Sequence, residues 1–253
     1  MPPSVAPRRT IAVWAAPRSV STAFERTFAN RADTTAVHEP FTDCYYFGRD
    51  RRSDRYGEQA HKVDRDGRWA TAQIDGSQGP VVFVKDLAFQ AEPYLSDDYL
   101  AGITNTFILR HPATVLASLR PLKPDFTEDE FGFLALGRLW RRVHALGQSP
   151  VVVEGDTFRS RPAAVLAAYC DRVGLAFDPR MLHWDDGRIR PWSPDEQESQ
   201  AKWHATLESS TRILPPATRP PVPVPAGLRP AYDRAVRIYE ELCDARVRRP
   251  IVA

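Results

Sequence analysis

Ile11-Ala-Val-Trp14-Ala-Ala-Pro17-Arg18-Ser19-Val20-Ser21-Thr22-Ala23-Phe24-Glu25-Arg26 decides how this chain reads. Ile11 to Trp14 is an apolar strand. Ala15 to Ser19 is a short loop, and a helix over about 19–30 follows, with Val20, Phe24 and Phe28 on one line. A strand that feeds a helix through a tight loop aims backbone N–H groups and a positive helix end at one point, which makes an anion site. Arg18 adds a fixed cation, and Ser19, Ser21 and Thr22 add hydroxyl donors. Pro17, Arg18, Ser19, Val20, Ser21 and Thr22 are therefore the candidate binding loop. The loop holds no glycine and lacks the G-x-x-x-x-G-K-[ST] pattern, so it is not a Walker A loop. The same hydroxyls would also serve as helix caps, with Thr22-x-x-Glu25 as a capping box.

A second motif lies further on, in Thr106-Phe-Ile-Leu-Arg110-His-Pro112-Ala-Thr-Val-Leu-Ala-Ser118-Leu. Arg110 closes an apolar strand, Pro112 opens a helix, and Ser118 lies two turns into it. Both motifs fall at carboxyl ends of strands, where open α/β sheets bind ligands.

Together these motifs resemble those of the sulfotransferase family. Ala16-Pro-Arg-Ser-Val-Ser-Thr is similar to the bacterial form of its phosphosulfate-binding loop, P-R-S-x-S-T. The strand-R-x₇-S-helix pattern of Arg110 and Ser118 resembles its 3′-phosphate motif. His38-Glu39-Pro40-Phe41 resembles the x-E-P-F/L of a bacterial branch. Glu154, then Pro162 to Leu175, then Met181-Leu-His-Trp184, extend the likeness over most of residues 10–212. Strands that alternate with helices and are apolar on both faces read as a three-layer α/β fold with a parallel sheet of about five strands, and the resemblance adds a P-loop-like phosphosulfate-binding loop. It also implies 3′-phosphoadenosine 5′-phosphosulfate as donor and 3′,5′-ADP as product. This sequence departs from the family after the strand lysine: Lys85-Asp-Leu-Ala-Phe-Gln90 lacks the family's histidines. Ala23 stands where cytosolic members carry an adenine-stacking tryptophan.

Sulfuryl transfer, like phosphoryl transfer, needs positioning and stabilisation of spreading negative charge. Arg18 suits the leaving phosphate and the sulfuryl oxygens, because it stays charged and presents a fork of donors. The acceptor hydroxyl needs a base, and with the histidines absent Glu39 is the first candidate. Its free pKa of ~4.3 would rise on burial and fall beside a cation. An ion pair with Arg18 is the competing role. His38 is an alternative base, but strand alternation should turn it away from Glu39, toward a packed position. Lys85 would steady the bridging oxygen or snorkel. His111 reads as a cap-region residue.

Composition narrows the class. The 253 residues, 43% hydrophobic and 26% charged, fit a globular protein, and a net charge of +2 indicates no polyanion partner. The arginines are scattered, which argues against nucleic acid. Cys44, Cys170 and Cys243 are far apart, with no metal spacing, and point to a reducing cytoplasmic setting without disulfides. No apolar run approaches ~20 residues, so no membrane span is expected. The expected partner is a small-molecule acceptor, no metal is required, and a homodimer is left open.

The organisation expected is a disordered lead-in over 1–9 and one domain over 10–253. Strands are expected at 11–14, 35–38, 81–85, 105–109 and 150–154. The polar stretch 48–80 reads as an insertion or lid, and the proline-rich 215–230 as a surface wrap or an SH3-type ligand. The capping box Thr127-Glu-Asp-Glu130 opens one long helix to about Leu146. Ser193-Pro-Asp-Glu196 opens a helix carrying Trp203 and His204, and a closing helix spans about 230–246. Two other readings stay open: sulfation as activation for elimination or cyclisation, and a nucleotide-binding homologue without turnover. A magnesium-dependent P-loop kinase ranks last, because the Gly-Lys pair is missing.

Overall fold

The computed structural model describes residues 8–56, 62–187, 207–217 and 222–247. Among these, five strands form one parallel sheet: β1 (Arg9–Ala15), β2 (Thr34–His38), β3 (Val81–Leu87), β4 (Thr104–Leu109) and β5 (Val151–Glu154). Their order across the sheet is β2-β3-β1-β4-β5. β3, β5 and the carboxyl-terminal parts of β1 and β4 are buried on both faces because helices cover both sides of the sheet, whereas the edge strand β2 is half-buried throughout. The expected three-layer α/β fold is the one observed.

The helices are α1 (Ser21–Ala29), α2 (Thr42–Tyr46), α3 (Gly67–Gly76), α4 (Ala88–Ala91), α5 (Asp97–Ala101) and α6 (Pro112–Leu119). They continue with α7 (Glu128–Phe131), α8 (Phe133–Ala145), α9 (Gly155–Ser160), α10 (Pro162–Arg172) and α11 (Arg229–Val247). On one face Ile11, Val13 and Ala15 pack with Phe24 and Phe28 of α1, Phe83 of β3 and Tyr169 of α10. The Phe28 and Phe83 rings stack with centroids 3.9 Å apart. On the other face Ala12 and Trp14 pack with Leu136, Leu139 and Trp140 of α8 and with Ile238 and Leu242 of α11. Trp14 donates its indole N–H to Asn105 Oδ1 at 2.9 Å, so the one polar atom of a fully buried ring is satisfied.

Several boundaries differ from expectation for physical reasons. Strand β1 starts at Arg9, inside the expected lead-in, because the Arg9 guanidinium reaches the Val173 and Gly174 carbonyls at 2.7 Å. The single helix expected from Thr127 is two helices. Thr127 and Glu130 do form the capping box, but Gly132 takes φ +83° and ends α7 after one turn. Within 48–80 lies α3, whose Ala70 and Ile74 are buried in the main core. Arg55 in the same stretch makes a two-pronged ion pair with Glu130, at 2.7 and 2.6 Å. The helix expected from Ser193 lies outside the described residues, as do residues 218–221 of the proline-rich run. That run enters α11 with Pro230 in the first turn, where a missing N–H breaks no helical bond.

Candidate active site

The loop after β1 is held in a costly backbone shape. Arg18 has φ +59° and Val20 φ +71°, both in the left-handed region that side chains avoid. Such residues cost of order 1–3 kcal/mol each and persist only where the surroundings enforce them. The enforcement comes from three directions. Ser19, fully buried, donates its hydroxyl to the Ala16 carbonyl at 2.5 Å. Gly155 presses from behind, where a Cβ would lie 2.7 Å from the Ser19 carbonyl oxygen. Gly132 presses from the side, where a Cβ would run into Pro17 Cδ. The break between α7 and α8 thus gives the loop the space it needs.

Helix α1 begins at Ser21, with Val20 at its cap position and no side-chain cap. The expected Thr22–Glu25 capping box is therefore not formed. The N–H groups of the first helical turn face the loop, and left-handed positions beside them make a concave anion cradle. Pro17, Ser19 and Ser21 are buried in the loop wall, while Arg18, Val20 and Thr22 are half-buried.

The second motif comes to the first. Arg18 Nε donates to Ser118 Oγ at 3.0 Å. Ser118 lies on α6, which β4 feeds through Arg110, and both residues are nearly buried. Arg110 is held by Asp156 in the first turn of α9: Asp156 Oδ1 accepts from Nε at 2.9 Å and pairs with Nη2 at 2.6 Å. The sequence reading missed Asp156. Its only signal was a carboxylate two residues beyond the acidic end of β5. His111 caps α6 as expected, its Nδ1 accepting the Ala113 N–H at 3.2 Å.

A charged cluster closes the ends of β2 and β3. His38 and Lys85 are cross-strand partners, and the Glu39 N–H extends the ladder to the Lys85 carbonyl at 2.7 Å. Glu39 then turns with φ +44°, and its carboxylate pairs with Lys85 Nζ. Lys85 is 1% exposed, which rules out snorkelling, and the Glu39 side chain is 14% exposed, the more open member of the pair. Thr42 Oγ1 lies 3.3 Å from Glu39 Oε2 and 3.2 Å from Gln90 Oε1.

Asp86 holds this turn from below, accepting the Phe41 N–H at 2.8 Å and the Leu87 N–H at 2.7 Å. Burial, and then the nearby Glu39 charge, push its carboxyl well above the usual range.

His38 corrects the alternation argument. Its Nε2 lies 4.0 Å from Glu39 Oε1, not on the opposite side. The positive φ of Glu39 ends the pleat and folds the carboxylate back to the face that His38 occupies. On its other side His38 Nδ1 meets Glu25 Oε2 at 2.7 Å. Glu25, on α1, is completely buried and was read from sequence only as a helix cap.

Among the described residues no three His, Cys, Asp or Glu side chains gather as a metal site, and no helix is long and apolar enough to cross a membrane.

Residues 9–240 match the family model described as Sulfotransferase domain. The chain is 26% identical over 212 residues to branched-chain-amino-acid aminotransferase-like protein 2 of Arabidopsis thaliana, covering 83% of this chain and 37% of that protein. It is 30% identical over 143 residues to sulfotransferase ppzF of Metarhizium rileyi, covering 47% of this chain and 41% of that one. The chain thus spans well under half the length of these relatives. Among solved structures it aligns with the sulfotransferase domain from the Synechococcus PCC 7002 olefin synthase. That alignment has 15% identity and a TM-score of 0.46, over 95% of this chain and 98% of that one. The sulfotransferase domain from the curacin biosynthetic pathway aligns at 14% identity and a TM-score of 0.47, over 95% and 99%. With its family model matched from the first strand into the closing helix, the chain belongs to the sulfotransferase domain family, whose chemistry is sulfuryl transfer.

Proposed function

We propose that this chain transfers the sulfuryl group of 3′-phosphoadenosine 5′-phosphosulfate to a hydroxyl or amine of a small molecule, with Glu39 as base. The observation that carries the reading is the contact between the two motifs, Arg18 Nε to Ser118 Oγ at 3.0 Å. A donor with a phosphosulfate at one end and a 3′-phosphate at the other needs two anion sites held in fixed relation. The strained loop with Arg18 suits the phosphosulfate. Arg110 and Ser118, one strand over, suit the 3′-phosphate.

In-line transfer then asks for a proton acceptor and a counter-charge on the far side of the loop. Glu39 is the partly exposed member of a buried ion pair, so its carboxylate can meet an incoming hydroxyl. Lys85 sets a positive charge against that carboxylate. In a loose transition state the proton leaves late, so a base of modest strength is sufficient.

The test has two parts. Calorimetry should show 3′,5′-ADP binding far more tightly than 5′-AMP. Incubation with radiolabelled donor and a panel of phenols, alcohols and amines should then yield labelled product. Equal affinity for the two nucleotides overturns the donor assignment. Tight 3′,5′-ADP binding without turnover across the panel would favour a nucleotide-binding homologue.

A further inference from the structure

Glu25 has no place in the reading above, yet it is a carboxylate wholly removed from solvent. Its side chain is completely buried on α1, facing the sheet. Oε2 meets His38 Nδ1 at 2.7 Å, and Oε1 has no hydrogen-bond partner among the described residues. A carboxylate taken out of water needs a compensating partner, and here the imidazole is the one in contact. The far ring nitrogen, Nε2, faces the Glu39 carboxylate at 4.0 Å. The His38 side chain is itself 4% exposed. Glu25, His38 and Glu39 therefore form a line from the interior to the mouth of the site, with Lys85 of β3 beside its outer end.

Hydrogen-bond roles along the line decide what it can do. A carboxylate offers only acceptors, so the ring nitrogen that meets Glu25 Oε2 is the one suited to carry a proton, and Nε2 is the nitrogen turned toward Glu39.

We propose that Glu25 is a positioning residue for proton removal from the acceptor: it orients His38 so that the proton taken up by Glu39 passes on to Nε2. This inference rests on the sulfuryl-transfer reading. In the first step the acceptor O–S bond forms and the S–O bond to the 5′-phosphate breaks. The bond pair stays on the leaving phosphate oxygen, and the acceptor proton goes to Glu39. In the second step the proton moves from Glu39 to His38 Nε2 through a water bridging the 4.0 Å between them, which restores the Glu39 carboxylate. The proton leaves to solvent after product release, so the overall yield is sulfated acceptor, 3′,5′-ADP and one proton.

The experiment combines a spectroscopic and a kinetic readout on the full chain. Long-range proton–nitrogen NMR of histidine-labelled protein, with His38 assigned by its loss in His38→Ala, should show Nδ1 protonated in the wild type. Glu25→Gln should shift His38 to a mixture of tautomers, because a carboxamide can face the ring with either its oxygen or its NH₂ group. With the phosphosulfate donor and 4-nitrophenol as probe acceptor, Glu25→Gln should lower kcat about 10-fold or more. That is short of the ~10⁴ lost when a buried carboxylate orients a sole base. Affinity for 3′,5′-ADP should stay within about twofold of wild type, since the Glu25 side chain bonds His38 and not the anion loop among the described residues. Imidazole added to His38→Ala should restore part of the lost rate.

An unprotonated Nδ1 in the wild type overturns the proposal, and so does an unchanged kcat in a folded Glu25→Gln. If Glu25→Gln does not fold, the wild-type spectrum and the imidazole rescue decide alone, and absence of rescue counts against it. Failure of the sulfuryl-transfer reading would show differently, as a wild type that does not distinguish 3′,5′-ADP from 5′-AMP.

Discussion

Arg18 and Ser118, a hundred residues apart in sequence, share one hydrogen bond of 3.0 Å, from the guanidinium Nε to the hydroxyl oxygen. The bond engages Nε of a guanidinium whose charge is fixed. Removing the guanidinium should therefore cost donor use and spare the fold. Arg18→Ala should lower kcat/KM for the phosphosulfate donor by roughly 10²–10³, the loss typical for one preorganised oxyanion donor. Thermal unfolding should move little, because the side chain is only half-buried. Near-wild-type turnover in this variant would mean that the loop is not the phosphosulfate site.

The two residues of the second motif should behave differently from each other. Arg110 pairs with Asp156, whereas Ser118 bonds Arg18 of the loop, so Arg110→Ala should weaken 3′,5′-ADP and leave 5′-AMP nearly unchanged. The loss of a charge-assisted bond is worth roughly 1.5–3 kcal/mol. Ser118→Ala also removes a partner of Arg18, so it should weaken both nucleotides. Calorimetry on the two variants checks the contrast, and identical profiles would refute it.

Glu39→Gln should retain nucleotide binding and lose turnover by a factor of ~10²–10⁴. It should also lower stability, because Lys85 is left buried and charged without its counter-ion. Breaking such a pair costs about 3–5 kcal/mol. The double variant Glu39→Gln/Lys85→Met should recover stability but not activity. Thermal melts and a sulfation assay together separate the two roles. Recovery of activity in the double variant would exclude Glu39 as the base.

Gly132→Ala tests the clamp on the loop. Gly132 has φ +83°, and an added Cβ would meet Pro17 Cδ. The backbone conflict alone should cost more than about 1 kcal/mol. Because the struck residue belongs to the binding loop, affinity for 3′,5′-ADP should fall too. A variant that is destabilised yet binds normally would show that the glycine serves only the helix break.

Glu130 supplies a pH signature of stability. Burial raises its carboxyl, but hydrogen bonds from Arg55 and Lys123 outweigh that and hold it below the usual carboxylate range. A depressed folded pKa means stability that is present above the unfolded value of ~4.3 and is lost as pH falls through the folded one. Glu130→Gln should therefore be less stable than wild type at neutral pH, with the gap closing in acid. Denaturant titrations at several pH values measure it, and a gap independent of pH would contradict the assignment.

The sheet was legible in the sequence because buried parallel strands must be apolar on both faces, and Val81 to Val84 or Val151 to Val153 read as nothing else. Arg18, Arg110 and Ser118 were singled out by motifs that resemble those of the sulfotransferase family, and the fold brings Arg18 and Ser118 into contact. What escaped depends on distant packing. Gly132 looked like one residue of a long helix, since only the fold brings Pro17 against it. His38 looked turned away from Glu39, since a periodic argument assumes that the pleat continues and Glu39 breaks it. Glu25 passed as a helix cap beside the apolar line of Phe24 and Phe28, although a carboxylate on that buried flank needed a partner.

The sheet order β2-β3-β1-β4-β5 sets β1 in the middle, with Arg110 and Asp156 just beyond β4 and β5 on one side and Glu39 beyond β2 with Lys85 in β3 on the other. Under the proposed reading, recognition of the donor and treatment of the acceptor are therefore separable inheritances that meet only at the loop after β1. Changes in the segments after β2 and β3 can recruit a new acceptor while the nucleotide half stays as it is. A lineage of such proteins should diversify on one flank of its sheet and hold still on the other.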